Sequence, residues 1–207
     1  MPSQTIIINY TPEGRLSLLD SATKQPLYHV KVSRQTPQME MIRLTGHTEG
    51  PGDSAFPTDE ETYFESRVCT AEFKMTRLDV KLRIREQRDV ELKRKQVLST
   101  SYSFVSPALS AAAARNGGLP TVLTWEADSN SWSIGNFSLL VDGSSEGSRK
   151  MLMHFTNEAM STERVGTFEV DSELDQLVKD EAVISGLAML SMNQSFRLSA
   201  MIMLGRS

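Results

Sequence analysis

Apolar and polar residues alternate in short runs along most of this chain. "TIIINY", "LYHVKVS", "MEMIRLTG", "EFKMTRLDVKLRIRE", "LSTSYSFVS", "TVLTWEA", "SWSIGNFSLLV", "KMLMHFT" and "RVGTFEV" occupy the region from Gln4 to about Phe168. A period of two, rich in β-branched and aromatic residues, places one face of each run in a core and the other in solvent, as in a strand. Turn residues punctuate the runs at a spacing that predicts an all-β barrel or sandwich of nine or more strands. Two stretches interrupt the series. "GHTEGPGDSAFPTDEET", Gly46 to Thr62, predicts a mobile surface loop. "SPALSAAAARNGGLP", Ser106 to Pro120, predicts one or two helical turns on its alanines, stopped by Gly117 and Gly118. Strand-like sequence of the same character resumes after each, so residues 1–207 read as a single domain.

The pattern changes near the C-terminus. In "SELDQLVKDEAVISGLAMLSM", Ser172 and Asp175 form a capping-box pattern ahead of about twenty residues without proline, which predicts a helix. From Ala182 to Met192 only Ser185, Gly186 and Ser191 interrupt the apolar residues. A helix that is apolar all round is buried all round, in a protein core or in lipid. This run of 11 residues is well short of the ~20 needed to span a bilayer, and Asn193, Gln194 and Arg197 follow it, so no transmembrane span is expected. The fold expected is therefore β-rich (α+β): a closed antiparallel β-barrel surrounding the hydrophobic C-terminal helix, with Val183, Ile184, Leu187, Ala188 and Leu190 buried by strands. The small residues Ala182, Ser185, Gly186, Ala188 and Ser191 permit close approach by barrel side chains.

Composition narrows the class. At 207 residues with 39% hydrophobic and 23% charged, the chain has enough apolar content for one substantial core and is not disordered. Cys69 is the only cysteine, which excludes an internal disulfide and a cysteine-rich metal site. The opening "MPSQTIIINYTPEGRL" lacks the features of a secretory leader, so a cytoplasmic location is expected and the sequons at Asn136 and Asn193 read as accidental.

Charge is unevenly distributed. Lys74 to Lys95, "KMTRLDVKLRIREQRDVELKRK", holds nine basic and four acidic residues, a net of +5; with −4 for the whole chain, the remainder carries −9. Leu78, Val80, Leu82 and Ile84 alternate with Asp79, Lys81, Arg83 and Arg85, a strand with one apolar and one charged face. A turn at Glu86-Gln87-Arg88 returns Val90 and Leu92 to the apolar face and brings Lys93 and Lys95 to the charged one. Lys81, Arg83, Arg85, Lys93 and Lys95 are then candidates for one basic surface, worth ~1 kcal/mol per residue beside an anionic membrane. The alternative role for such lysines is to keep an edge strand from pairing with other chains.

Other chemistry is sparse. His29, His47 and His154 lack neighbours at metal-ligand spacing, and no Gly-rich phosphate loop, nucleophile elbow or H-E-x-x-H motif occurs, so no metal, cofactor or catalytic residue is expected. A net charge of −4 argues against nucleic acid as a target. Trp125 and Trp132 flank "EADSNS" and are expected to pack at the barrel wall. Met151, Met153, Met189, Met192, Met201 and Met203 are expected to fill core space around the helix.

"GTFEVDSELDQLVKDEAVISGLAMLSM" resembles the end of tubby C-terminal-like domains: a last strand, an acidic turn, then a hydrophobic helix. "VLTWEADSNSWSIGNFSLLVDG" is similar to the Trp-containing strand and polar turn of the small fungal members. That superfamily also includes the phospholipid scramblases and the plant LURP-one-related proteins. The resemblance covers nearly the whole chain and implies a closed barrel around the C-terminal helix. In tubby a basic barrel surface binds phosphoinositide headgroups. By that analogy Lys81, Arg83, Arg85, Lys93 and Lys95 are lipid-binding candidates in a non-enzymatic binding or adaptor domain, peripheral to membranes. Two departures stand out. "SFRLSAMIMLGR", Ser195 to Arg206, continues past the expected helix end as another strand or helix, and the scramblases' cysteine cluster is absent, so palmitoylation and scrambling are not implied. The competing expectations are a protein–protein interaction scaffold and, less favoured, an enzyme with a loop-built surface site under the Gly46 to Thr62 loop.

Overall fold

The structure is a computed structural model and describes residues 3–46, 63–74, 79–85, 88–95, 100–128, 135–142, 149–158 and 161–193. The strands in chain order are β1 (Ser3–Tyr10), β2 (Leu16–Asp20), β3 (Pro26–Val32), β4 (Met39–Gly46), β5 (Tyr63–Lys74), β6 (Asp79–Ile84), β7 (Arg88–Arg94), β8 (Tyr102–Val105), β9 (Val122–Ala127), β10 (Phe137–Asp142), β11 (Arg149–Asn157) and β12 (Arg164–Asp171). Helix α1 (Pro107–Arg115) connects β8 to β9, and α2 (Gln176–Met192) follows β12.

Each strand pairs antiparallel with its neighbour in sequence, and β1 pairs with β12 to close the barrel. The alternation seen in the sequence is the alternation of the wall. On β6, Val80, Leu82 and Ile84 are buried while Lys81 and Arg83 between them are not, and Val90 and Leu92 of β7 join the same core. Register shifts at Ile8/Asn9, Leu18/Leu19, Met41/Ile42 and Leu139/Leu140 interrupt the ladders. Such bulges bend and twist a strand, which helps a sheet to curl closed.

α1 forms where the alanines predict it, capped by Ser106, whose hydroxyl accepts from Leu109 N–H at 3.2 Å. The cap of α2 differs from the expected one. Ser172 lies in the turn leaving β12, where Leu174 N–H bonds back to the Asp171 carbonyl. The helix starts three residues later, with Asp175 as its cap accepting from Leu177 N–H at 2.8 Å.

All α2 side chains from Asp180 to Ser191 are buried. Trp125 of β9 donates its indole N–H to Ser185 Oγ at 3.0 Å. Gly186 faces Trp125 and Phe168 of β12 so closely that a Cβ there would stand 2.9 Å from each ring. At the start of the helix Tyr28 of β3 and Arg43 of β4 bond to Asp180. At its end Asn193 Nδ2 donates to the carbonyl of Thr100, just ahead of β8.

Among the described residues there are twelve strands. "LSLLD", which forms β2, is not among the runs read as strands from the sequence: it is five residues long and has no β-branched residue. Met153 and Met189 are core residues as expected, whereas Met151 is 53% exposed on the outer face of β11 and fills no core space. Residues 47–62 of the predicted loop, Trp132, Met201, Met203 and residues 195–206 lie outside the described residues; Gly46 closes β4.

Candidate functional site

Two adjacent carboxylates, Asp180 and Glu181, stand at the head of the apolar run of α2, and both are buried. A buried charge needs partners, since its desolvation is otherwise uncompensated. Asp180 has four. Its Oδ1 accepts from Tyr28 Oη at 2.9 Å and from Gln176 Nε2 at 3.0 Å. Its Oδ2 accepts from Arg43 Nη1 at 3.3 Å and from Arg85 Nη2 at 3.2 Å. Burial, and then the Asp180 charge, push the Tyr28 phenol well above its ordinary pKa, which keeps it a donor.

Glu181 faces the other way, onto the first turn of α1. It accepts from Ser106 Oγ and from Ala108 N–H, the latter at 2.9 Å. A carboxylate is well placed there, against the unpaired amides and positive dipole end of a helix. Burial nevertheless raises the Glu181 pKa, while Ser106, Ala108 and Arg88 pull in the opposite direction. Sequence reasoning placed neither residue in a site. The available signal was an Asp-Glu pair joined without a break to eleven nearly continuous apolar residues, so that burying the run draws the pair in with it.

The strand directions place this cluster at one end of the barrel. β4, β6, β8 and β12 finish there, β1, β3 and β7 begin there, and α1 and α2 both start from it. A cavity of about 460 Å³ opens beside Asp180, lined among others by Gln4, Tyr28, Arg43, Arg85, Gln176 and Lys179. A neighbouring cleft of about 500 Å³ lies between α1 and the start of α2, with Arg88 and Arg115 beside Ala108, Ala112 and Leu177.

The five predicted cations divide into three groups. Lys81, Arg83 and Lys93 share the outer face of β6 and β7. Lys81 Nζ and Arg83 Nε reach Asp89 at 3.0 and 3.1 Å, and Lys93 Nζ reaches Glu91 at 2.8 Å. Those pairs hold the Asp89 carboxyl below its ordinary range and the Lys93 ammonium above its own. Lys95 turns towards Glu126 of β9, at 3.6 Å. Arg85 leaves the outer face altogether. It follows β6 in a left-handed conformation, φ 50°, with its N–H bonded to the Val68 carbonyl and its guanidinium on Asp180. An arginine is strained at such a backbone position, where glycine is not.

β6 is paired along its length with β5 on one side and β7 on the other, so Lys81 and Arg83 guard no free edge. β7 meets β8 only at Lys93↔Ser103 and Arg94↔Tyr102. Beyond those pairs a broad surface cavity of about 910 Å³ brings Lys81, Arg88 and Lys93 together with Val105 and Val122. The two valines oppose each other across β8 and β9, and both are exposed. Leu119, three residues ahead of Val122, is 85% exposed.

His154 Nε2 lies 2.9 Å from Asp128 Oδ2, and Asp128 Oδ1 accepts from Ser138 Oγ at 2.9 Å. This acidic neighbour comes from across the sheet and leaves no trace in local spacing. Among the described residues no group of three or more His, Cys, Asp or Glu side chains is placed to hold a metal ion, and no helix is long and apolar enough to cross a membrane. Cys69 is buried, and burial raises its thiol pKa far above the ordinary range. Compared with known protein families, curated proteins and solved structures, the chain matches none.

Proposed function

We propose that the barrel closes around α2, in the manner of tubby C-terminal-like domains, and that the molecule is a non-enzymatic binding domain for anionic phospholipid surfaces. The central position of α2 is supported by its contacts with β3, β4, β9 and β12, and by hydrogen bonds near both of its ends. Such a helix occupies the space in which a deep catalytic pocket would form.

One observation carries the membrane reading: Lys81, Arg88 and Lys93 of the β6–β7 hairpin border the same surface cavity as two exposed valines. Basic side chains draw a protein to anionic headgroups, and neighbouring apolar side chains add affinity at the interface. Among the residues lining the cavity, Lys81, Arg88 and Lys93 against Asp89 and Glu91 leave a local net of about +1, despite −4 overall.

A protein-interaction scaffold is the second reading, favoured by the local neutralisation of Lys81, Arg83 and Lys93 by carboxylates. Sedimentation with phosphatidylcholine vesicles containing a phosphoinositide separates the two. The membrane reading expects binding at low salt, weakening as salt rises through screening, and abolished in Lys81→Glu/Lys93→Glu. Absence of phosphoinositide-dependent binding at low salt transfers the assignment to the scaffold.

A further inference from the structure

We propose that the cavity beside Asp180, at the end of the barrel where α2 begins, binds a phosphate monoester dianion through Arg43, Arg85 and Lys179. This site is separate from the outer face of β6 and β7 and does not depend on the membrane reading.

The argument rests on unused donor capacity. Asp180 takes two donors on each oxygen: Tyr28 and Gln176 on Oδ1, Arg43 and Arg85 on Oδ2. A guanidinium carries five N–H donors. Arg43 and Arg85 each spend one on Asp180, at 3.3 and 3.2 Å, and no other side-chain bond of theirs occurs among the described residues. Arg43 Nε is buried with no hydrogen-bond partner.

Lys179 lines the same cavity, its Nζ 3.3 Å from both Gln4 Oε1 and the Ser172 carbonyl, neither of which is charged. Three cations line the cavity and Asp180 stands behind two of them, a local excess of +2 that matches a dianion. Asp180 sets the geometry: it is fully buried on a core helix, and it fixes both guanidinium groups from behind. Guanidinium forks suit the several acceptor oxygens of a phosphate group. At about 460 Å³ the cavity is of small-ligand size. Arg85 occupies its left-handed backbone position where a glycine would be unstrained, and its guanidinium is what the arginine adds there.

The phosphate group can come from a soluble metabolite or from a lipid headgroup, and two assays on the full chain distinguish these sources. Phosphorus NMR of inorganic phosphate, at constant ionic strength, reads the first: the resonance is expected to broaden on adding protein. Flotation with phosphatidylcholine vesicles carrying phosphatidic acid reads the second. Arg85→Gln and Lys179→Gln are each expected to weaken whichever response occurs by about tenfold, as for loss of one charge-assisted contact. Both side chains reach solvent, so the two variants provide independent folded tests. Lys31→Gln, at an exposed position on β3 outside the cavity, is expected to keep wild-type affinity. A response in either assay that both variants weaken supports the site and names its source. No response in either, or responses that both variants leave at wild-type strength, overturns it.

Discussion

Asp180 ties β3, β4, the end of β6 and the first turn of α2 to one carboxylate. Replacing it with alanine leaves a buried phenol O–H without its acceptor and two guanidinium groups without their carboxylate. The expected loss is roughly 3 kcal/mol, the low end for breaking a buried pair, because Arg43 and Arg85 both reach solvent. Tyr28→Phe removes one donor but leaves Gln176 on the same oxygen, so about 1 kcal/mol is expected; urea denaturation of the three proteins checks the ranking. Glu181 makes a prediction of opposite character. Its folded pKa is raised above the ordinary 4.5, so as pH climbs through that value the unfolded chain releases its proton first. Its contribution to stability is greatest in acid, falls as pH rises, and levels off once the folded carboxyl has ionised too. Unfolding free energies of wild type and Glu181→Gln across pH should therefore show the wild-type advantage shrinking upward from about pH 4.5. A growing advantage would contradict the burial argument. From sequence, Asp180 and Glu181 were visible only as polar residues in the first half of a helix, because their partners come from β3, β4, β6 and α1, far along the chain.

At the scale of elements, α2 was the most legible feature and its start the least. Eleven nearly continuous apolar residues fix burial, but the cap depended on where the turn out of β12 ended, which is set by the Asp171–Leu174 hydrogen bond. Strands with β-branched alternation, such as β6 and β12, were equally readable. β2 was not, and the outward turn of Met151 was hidden because the register shift opposite Leu139/Leu140 breaks the alternation that would place it on the face of Met153. Gly186 offers a test of the helix environment whose sign decides. On an exposed helix Gly186→Ala would stabilise by about 1 kcal/mol. Here the new methyl meets two buried rings at 2.9 Å, and overpacking should instead cost ~1–3 kcal/mol, measured as a lower urea midpoint.

For the whole molecule, closure was the inference furthest from any local pattern. Alternation shows that a strand has an inner face but carries no record of β1 pairing with β12, since the two come together from opposite ends of the described chain. The charged hairpin was legible as a strand pair and misleading as a patch, because pattern alone does not reveal that Arg85 departs to Asp180 and Lys95 to Glu126. Among the described elements, a chain stopped after Asp171 retains all twelve strands and loses α2. Its inner wall, with Ile6, Leu18, Val30, Leu82 and Phe168, then lacks the helix that these residues share a core with. Such a fragment should bind a hydrophobic dye and show no cooperative thermal transition, while the full chain melts as one unit.

The order of elements also matters on the ribosome. Of the twelve described strands β1 leaves the ribosome first yet waits for β12 to complete its pairing, and the apolar α2 is synthesised after both. Throughout translation of the wall, an open curl of hairpins displays an unfilled apolar face together with two unpaired edges. The nascent chain is therefore most vulnerable to aggregation just before α2 appears. Premature stop codons between β12 and α2 should consequently be about as harmful as stops within the wall itself, although every strand has by then been made.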